Sequence, residues 1–334
     1  MKLFICTAFF FASIPYSGFI LAAGVTADDL AGRIDLEVPQ SAGFAILGVT
    51  PDKIIDPQSG RDFGLALLQG LDSNGNFQSG FALETRPSLW GQPKYIAEPN
   101  AKERFLSGFK FSLATASGSD SKDSAKRLGL GLNWTYQFND PLHNKNLKEC
   151  ITKLIEQIPN IPDPDKDKEL KGDAARCYDT HISWNVDALS IGTAISKSKQ
   201  EDLGLNQSGY GIWITGSKVI GHDGELLGHI RHVDDQVIVG KDGLATADSD
   251  IFAVRYRFGG KTLRGIIEAS RNNDVTKNYS DKYSLVSIGA EFEVSKGMWF
   301  RVAYGDTLGS SREKRDFFSG QLRFGAGEQP LTKF

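Results

Sequence analysis

The sequence predicts an all-β chain, an antiparallel transmembrane β-barrel of about 12 strands with a small helical insertion. Three observations carry that expectation. Apolar and polar positions alternate along most of the chain, the N-terminus has the form of an export signal, and the connections between the alternating stretches differ systematically in length.

The alternation is plainest in RLGLGLNWTYQF at 127–138. Leu128, Leu130, Leu132, Trp134, Tyr136 and Phe138 take every second position, and Arg127, Gly129, Gly131, Asn133, Thr135 and Gln137 lie between them. Side chains alternate across a strand, so one face is apolar and the other small or polar. A soluble sandwich would bury the apolar face, whereas a membrane barrel turns it to lipid. The period is the same in both, so other features must decide.

Residues 1–24 supply the first of them. Lys2 precedes a run rich in Phe, Ile and Ala, and Ala22 and Gly24 stand three and one positions before a cut ahead of Val25. That is the pattern of a secretory signal peptide. Pro15, Tyr16, Ser17 and Gly18 interrupt the run, which argues against a permanent helical anchor. The rest of the chain holds no stretch of about 18 consecutive apolar residues, so a helical membrane protein is excluded after maturation. Glycine is abundant, 36 residues against 12 prolines, which suits strands and tight turns. A net charge of −3 gives no reason to expect nucleic acid as a partner.

Strand length is the second feature. Most of the alternating stretches run about 9–13 residues, which exceeds the typical soluble strand and matches the 9–11 that cross a bilayer when tilted. They fall at 61–70, 76–86, 104–115, 127–138, 179–191, 209–220, 226–238, 251–258, 262–271, 284–294, 298–304 and 318–326. In the stretch at 179–191, Ile182, Trp184, Val186 and Ala188 are assigned to the apolar face. GGK at 259–261 and SKG at 295–297 read as tight turns, while 271–281 and 306–316 read as longer polar loops. Aromatics near strand ends, among them Trp134, Tyr136, Phe138, Tyr304 and Phe324, fit an interfacial girdle. The Leu and Trp side chains of 127–138 are therefore expected to face lipid.

In these features the chain resembles the Gram-negative outer-membrane β-barrel class, with no subfamily identified. The resemblance implies the bacterial outer membrane as location, with outer-membrane lipid, the barrel-assembly machinery and a periplasmic protein as candidate partners. Phe334 supplies the terminal aromatic, but Pro330 departs from the usual last strand, since proline cannot donate to a ladder. Either the final strand stops near Ala326 and 327–334 form a tail, or the assembly signal is atypical.

Two segments lie outside the 61–326 barrel pattern. Residues 25–60 are a periplasmic extension, an inward plug or an extra strand through FAILGV. The insertion at 139–178 holds Leu147, Ile151, Leu154, Ile155 and Ile158 at helical spacing, then a charged, proline-broken connection. The helix is expected to pack its stripe on the barrel end. Cys150 and Cys177, the two cysteines left after export, are most simply a disulfide, stabilising by about 3–4 kcal/mol in the chain-entropy model.

Three readings of the chemistry compete. Charges on the less apolar face, Arg255, Arg257, Arg264, Glu268, Glu291, Glu293, Arg301 and Arg323, come from late strands that should be neighbours. As pore-lining residues they would select small polar or charged solutes in a narrow channel. Paired across a narrow lumen, the same charges would close it, leaving a structural or assembly-associated barrel. An outer-membrane lipid hydrolase built on His181, Ser183 and Asn185 comes third, because a base in reach and an oxyanion site are unmet. No enzyme activity, cofactor or metal is therefore expected. His222, His229 and His232 could be metal ligands by type, but 229 and 232 would point to opposite faces of a strand.

Overall fold

The alternating stretches pair into a sheet with no free edge. The computed structural model describes residues 42–47, 54–55, 63–72, 77–90, 95–97, 105–118, 125–138, 145–161, 163–181, 184–200, 205–240, 243–277, 280–295, 297–309, 317–326 and 331–333. Its strands are β1 (Phe63–Asp72), β2 (Phe77–Thr85), β3 (Tyr95–Ala97), β4 (Phe109–Gly118), β5 (Lys126–Gln137), β6 (Ala188–Gln200) and β7 (Leu205–Ile220). There follow β8 (Gly224–Gly240), β9 (Gly243–Gly259), β10 (Leu263–Val275), β11 (Ser280–Ser295), β12 (Met298–Leu308), β13 (Phe317–Ala326) and β14 (Leu331–Lys333). Twelve of them form a closed barrel in which each pairs with its neighbours in the chain, and β13 closes on β1 from Phe63 opposite Ala326 to Asp72 opposite Phe317. β3 and β14 stand apart as a short parallel pair.

The faces sort as a membrane requires. On β5, Arg127, Gly129, Gly131, Asn133 and Thr135 are buried, while Leu128, Leu130 and Tyr136 are exposed. Ile195, Ile212, Ile230, Phe252, Val254 and Ile288 continue the exposed apolar belt round the barrel. In water so large an apolar surface would drive association. Against lipid it is the favourable solvent contact, and the closed ladder leaves no strand edge unsatisfied. The chain thus forms a membrane-spanning barrel of the outer-membrane type.

The two ends differ. Residues 221–223 and 260–262 turn tightly between strands on one end, where β11 also gives way to β12, and Gly221 (φ 65°) and Gly297 (φ 76°) take the left-handed conformation tight turns need. The same end receives the chain entering β1 and leaving β13 and carries the whole β5–β6 connection. Aromatic pairs gather there too: Phe105 with Phe109 and Trp134, Tyr136 with Phe138, Tyr256 with Phe258, and Phe292 with Phe300.

Several expectations need correction. The strand read at 179–191 begins only at Ala188. Up to His181 the chain is helical, and Trp184, Asn185, Val186 and Asp187 are all buried, so Trp184 and Val186 do not meet lipid. Ile182 and Ser183 lie outside the described residues. Residues 105–107 form a helical turn rather than the start of β4. Around 42–47 there is a short helix, α1 (Ala42–Leu47), not a strand. The signal peptide lies outside the described residues.

In the insertion, α2 (Lys145–Ile155) is where the apolar spacing placed it. The supposed proline-broken connection is a second helix, α3 (Pro164–His181). Pro164 occupies the first turn, where a missing N–H costs nothing, and the Asp163 carboxylate accepts from the backbone N–H groups of Asp165 (3.1 Å) and Lys166 (3.3 Å) as a cap. Leu147, Ile151 and Leu154 pack on Leu170, Ala174 and Cys177 of α3 and not on the barrel end. The Cys150–Cys177 disulfide, with Cα atoms 6.0 Å apart, ties this hairpin together.

Candidate functional site in the barrel interior

The inner wall has two unlike halves. From β1 through β6 many inward positions are small, with Ala66, Ala82, Ala114, Ala116, Gly129, Gly131 and Ala194 buried, while Glu84, Lys110 and Arg127 are buried nearer the strand ends. From β8 through β13 they are largely ionic. The difference follows from what each half faces.

The small half holds α1. Ala42, Ile46, Leu47 and the nearby Ile55 form one buried cluster with Ala66, Ala82, Ala114, Ala116, Ala194, Trp213 and Val233. The approach is close because the wall lacks side chains. A Cβ on Gly129 would stand 2.8 Å from the Gly43 carbonyl oxygen, and one on Gly131 would stand 3.0 Å from Ala42 Cβ. Gly43 N–H donates to Ser112 Oγ (3.0 Å), and Gln236 Nε2 donates to the Ile46 carbonyl (3.4 Å). The glycines of the repeated GLGL phrase therefore face inward toward a helix.

In the ionic half, Arg255, Arg257, Arg264, Glu268, Glu291, Arg301 and Arg323 are all buried. Arg255 Nε donates to Glu268 Oε2 (2.7 Å), and its Nη2 also reaches the Ile54 carbonyl (3.3 Å). Arg257 forks onto Glu225 Oε2 through Nε (2.8 Å) and Nη2. Glu291 gathers three guanidiniums: Arg301 at 3.0 Å, Arg323 at 3.5 Å and Arg264 at 3.9 Å. Gln321 accepts from Arg323 Nε and Nη2 (3.2 and 3.0 Å). Glu293, half-buried, sits opposite Trp299 beside the bulge that ends β11.

The tight-turn mouth is closed by a segment that sequence reasoning misread. The Arg264 guanidinium lies 4.6 Å from the Trp184 ring centre and 4.5 Å from that of Trp299, a cation–π sandwich. Trp184 Nε1 donates to the Gly259 carbonyl (3.1 Å), and Asn185 Nδ2 donates to those of Gly224 (2.8 Å) and His222 (3.3 Å). Asp187 Oδ2 binds Lys218 Nζ (2.5 Å) and its Oδ1 accepts from Val219 N–H (2.8 Å). These partners, Lys218 first, hold the Asp187 carboxyl below the usual carboxylate range. Glu225, the partner of Arg257, and Trp184 were missed. Glu225 lies on β8, and only the β8–β9 register reveals it beside Arg257.

Among the described residues, which leave out Ser183, the alternative chemistries find no assembled site. His229 is buried inside the barrel against Thr215 (2.7 Å), His232 faces outward between Asp250 and Asp234, and His222 sits in an exposed turn beside Asp223. Among the described residues no group of three or more His, Cys, Asp or Glu side chains is placed to hold a metal. His181 ends α3, whereas Asn185 is committed to backbone carbonyls in the mouth.

No protein-family model and no curated protein matches the sequence. Solved structures similar in fold include an outer-membrane channel from Pseudomonas putida F1 (11% identity, TM-score 0.48, covering 81% of this chain and 98% of that one). The KdgM porin in complex with disordered oligogalacturonate is 8% identical (TM-score 0.44, 79% and 99%). The NanC porin is 7% identical (TM-score 0.44, 78% and 100%). At this distance the likenesses carry no functional argument.

Proposed function

We propose that the barrel is a narrow outer-membrane channel for small polar or charged solutes, with Arg255, Arg257, Arg264, Glu268, Glu291, Glu293, Arg301 and Arg323 lining its path. One observation carries the reading: neighbouring strands β8 through β13 supply a continuous column of ionised side chains to one wall, from Glu268 and Arg255 down to the mouth at Arg264. Stability alone gives little reason for such a column, because well-packed apolar residues in place of buried ion pairs are often equally stable. Rings and ladders of charge are what a channel uses to replace the hydration shell of a solute. On this reading the described conformation is a closed one, since the arginines are paired and out of reach of solvent.

The burial of those pairs also favours a second reading, a permanently occluded barrel that acts through its loops or the α2–α3 hairpin. Planar-bilayer conductance of the purified, heat-modifiable protein separates the two. A channel shows discrete conductance steps whose ion selectivity changes in Arg301→Ala. An occluded barrel shows none, and co-purification of a periplasmic protein with the hairpin would then be its positive sign.

A further inference from the structure

We infer that α1 is a displaceable gate seated in a berth made for it by glycine and alanine. The inference rests on the channel reading and names what opens the channel. Gly129 and Gly131 are the inward positions of β5 nearest α1, and each lacks the Cβ that would collide with it. Gly211 of β7 leaves similar room for Ile46, whose Cδ1 would stand 2.6 Å from an added Cβ. Ala114 faces Gly43 so closely that a Cβ on the latter would stand 2.7 Å from its own. Small residues on both surfaces let a helix backbone lie almost directly on the strand backbone.

Dependence between the two parts runs one way. The ladders of β4, β5 and β6 pair without interruption from Phe109 to Ser117 and from Lys126 to Gln137, so the barrel closes without help from α1. A helix of six residues is far below the length that is stable alone in water, so α1 holds its form only inside the barrel. Among the described residues its polar ties to the wall are Gly43 to Ser112 and Ile46 to Gln236, and beyond its end Ile54 is bonded to Arg255. An element so attached can leave as a unit and leave the wall intact. Its departure would open a path with small residues on one side and the ionic column on the other. Because Ile54 is held by Arg255, which Glu268 in turn orients, gate and lining are joined at one guanidinium.

The test pairs a lock with a deletion in the full chain, read by conductance and by gel mobility. In Ala42→Cys with Gly131→Cys the two Cβ positions are 3.0 Å apart, within about 0.5 Å of the range a disulfide spans. Oxidation should form the cross-link, shift mobility and cut conductance about tenfold, and reduction should restore it, with Ala42→Cys alone as the reductant control. Deletion of residues 42–47 should keep the heat-modifiable barrel and raise conductance several-fold above the unaltered chain. A cross-link that does not form, or a deletion that conducts no more than the unaltered channel, overturns the gate and leaves the channel standing. Silence in every variant, the deletion included, overturns the channel reading and the gate with it.

Discussion

Arg255 and Glu268 are register partners on β9 and β10, joined by a bond of 2.7 Å between Nε and Oε2, and solvent reaches neither side chain. Removing one member of a wholly buried pair strands the other, at a cost of about 3–5 kcal/mol. Glu268→Ala should therefore lower the barrel's unfolding free energy, measured by urea titration of its heat-modifiable form, by that much, while Arg255→Met with Glu268→Leu should come out near neutral. A loss below about 1 kcal/mol in the single variant would mean that water screens Arg255, as at an exposed pair.

At the mouth the sign of the pH dependence can be worked out. Asp187 precedes β6, and its bonds to Lys218 and the Val219 N–H favour the ionised form, so its folded pKa lies below the unfolded one. A group lowered on folding stabilises above its unfolded pKa, about 3.9 for Asp, and loses that contribution as pH falls through the folded value. The anchoring of residues 184–187 should thus be constant at neutral pH and weaken only as acid passes below about 4. Fluorescence of a variant keeping Trp184 as its one tryptophan should report that transition. Asp187→Asn should abolish the pH dependence, and an unchanged profile in that variant would assign the transition to another group.

Lipid outside and a polar lumen inside write a period of two into the sequence, so the strands were legible wherever both were present. The alternation of 251–258 or 284–294 is a direct record of the two solvents. It misled at 179–191, where Trp184, Asn185, Val186 and Asp187 are buried in succession in the mouth and only mimic a strand. The arginines were legible as inward residues, but their partners depend on register between strands, which hides Glu225 from any local reading. α1 was beyond reach for a different reason: six residues are under two turns, too few to display a period. Its signal lay elsewhere, in the inward glycines at 129 and 131.

The helical hairpin has a core of its own. Leu147, Ile151 and Leu154 meet Leu170, Ala174 and Cys177, and the disulfide closes a separation of 27 residues. Loop closure of that size is worth about 3–4 kcal/mol to the hairpin. Cys150→Ser with Cys177→Ser should make residues 145–181 readily cleaved by trypsin while the barrel keeps its gel shift. Loss of the shift would show that the barrel's closure depends on the hairpin, against the separate packing described above.

Ile288 and Ile161 are both exposed isoleucines, at 61% and 79%, yet their surroundings predict opposite tolerance to charge. Ile288 lies on the outer face of β11 between Ile267 and Tyr304, inside the apolar belt. Ile161 lies between α2 and α3 in the chain and belongs to no strand. In water, a charge at either place would change stability by no more than about 0.5 kcal/mol. In lipid, a lysine near the middle of a strand's outer face costs about 2–4 kcal/mol. Ile288→Lys should therefore destabilise the protein refolded in bilayers by that amount, and Ile161→Lys should leave it unchanged. Equal tolerance at both sites would mean that the belt is not immersed in a membrane.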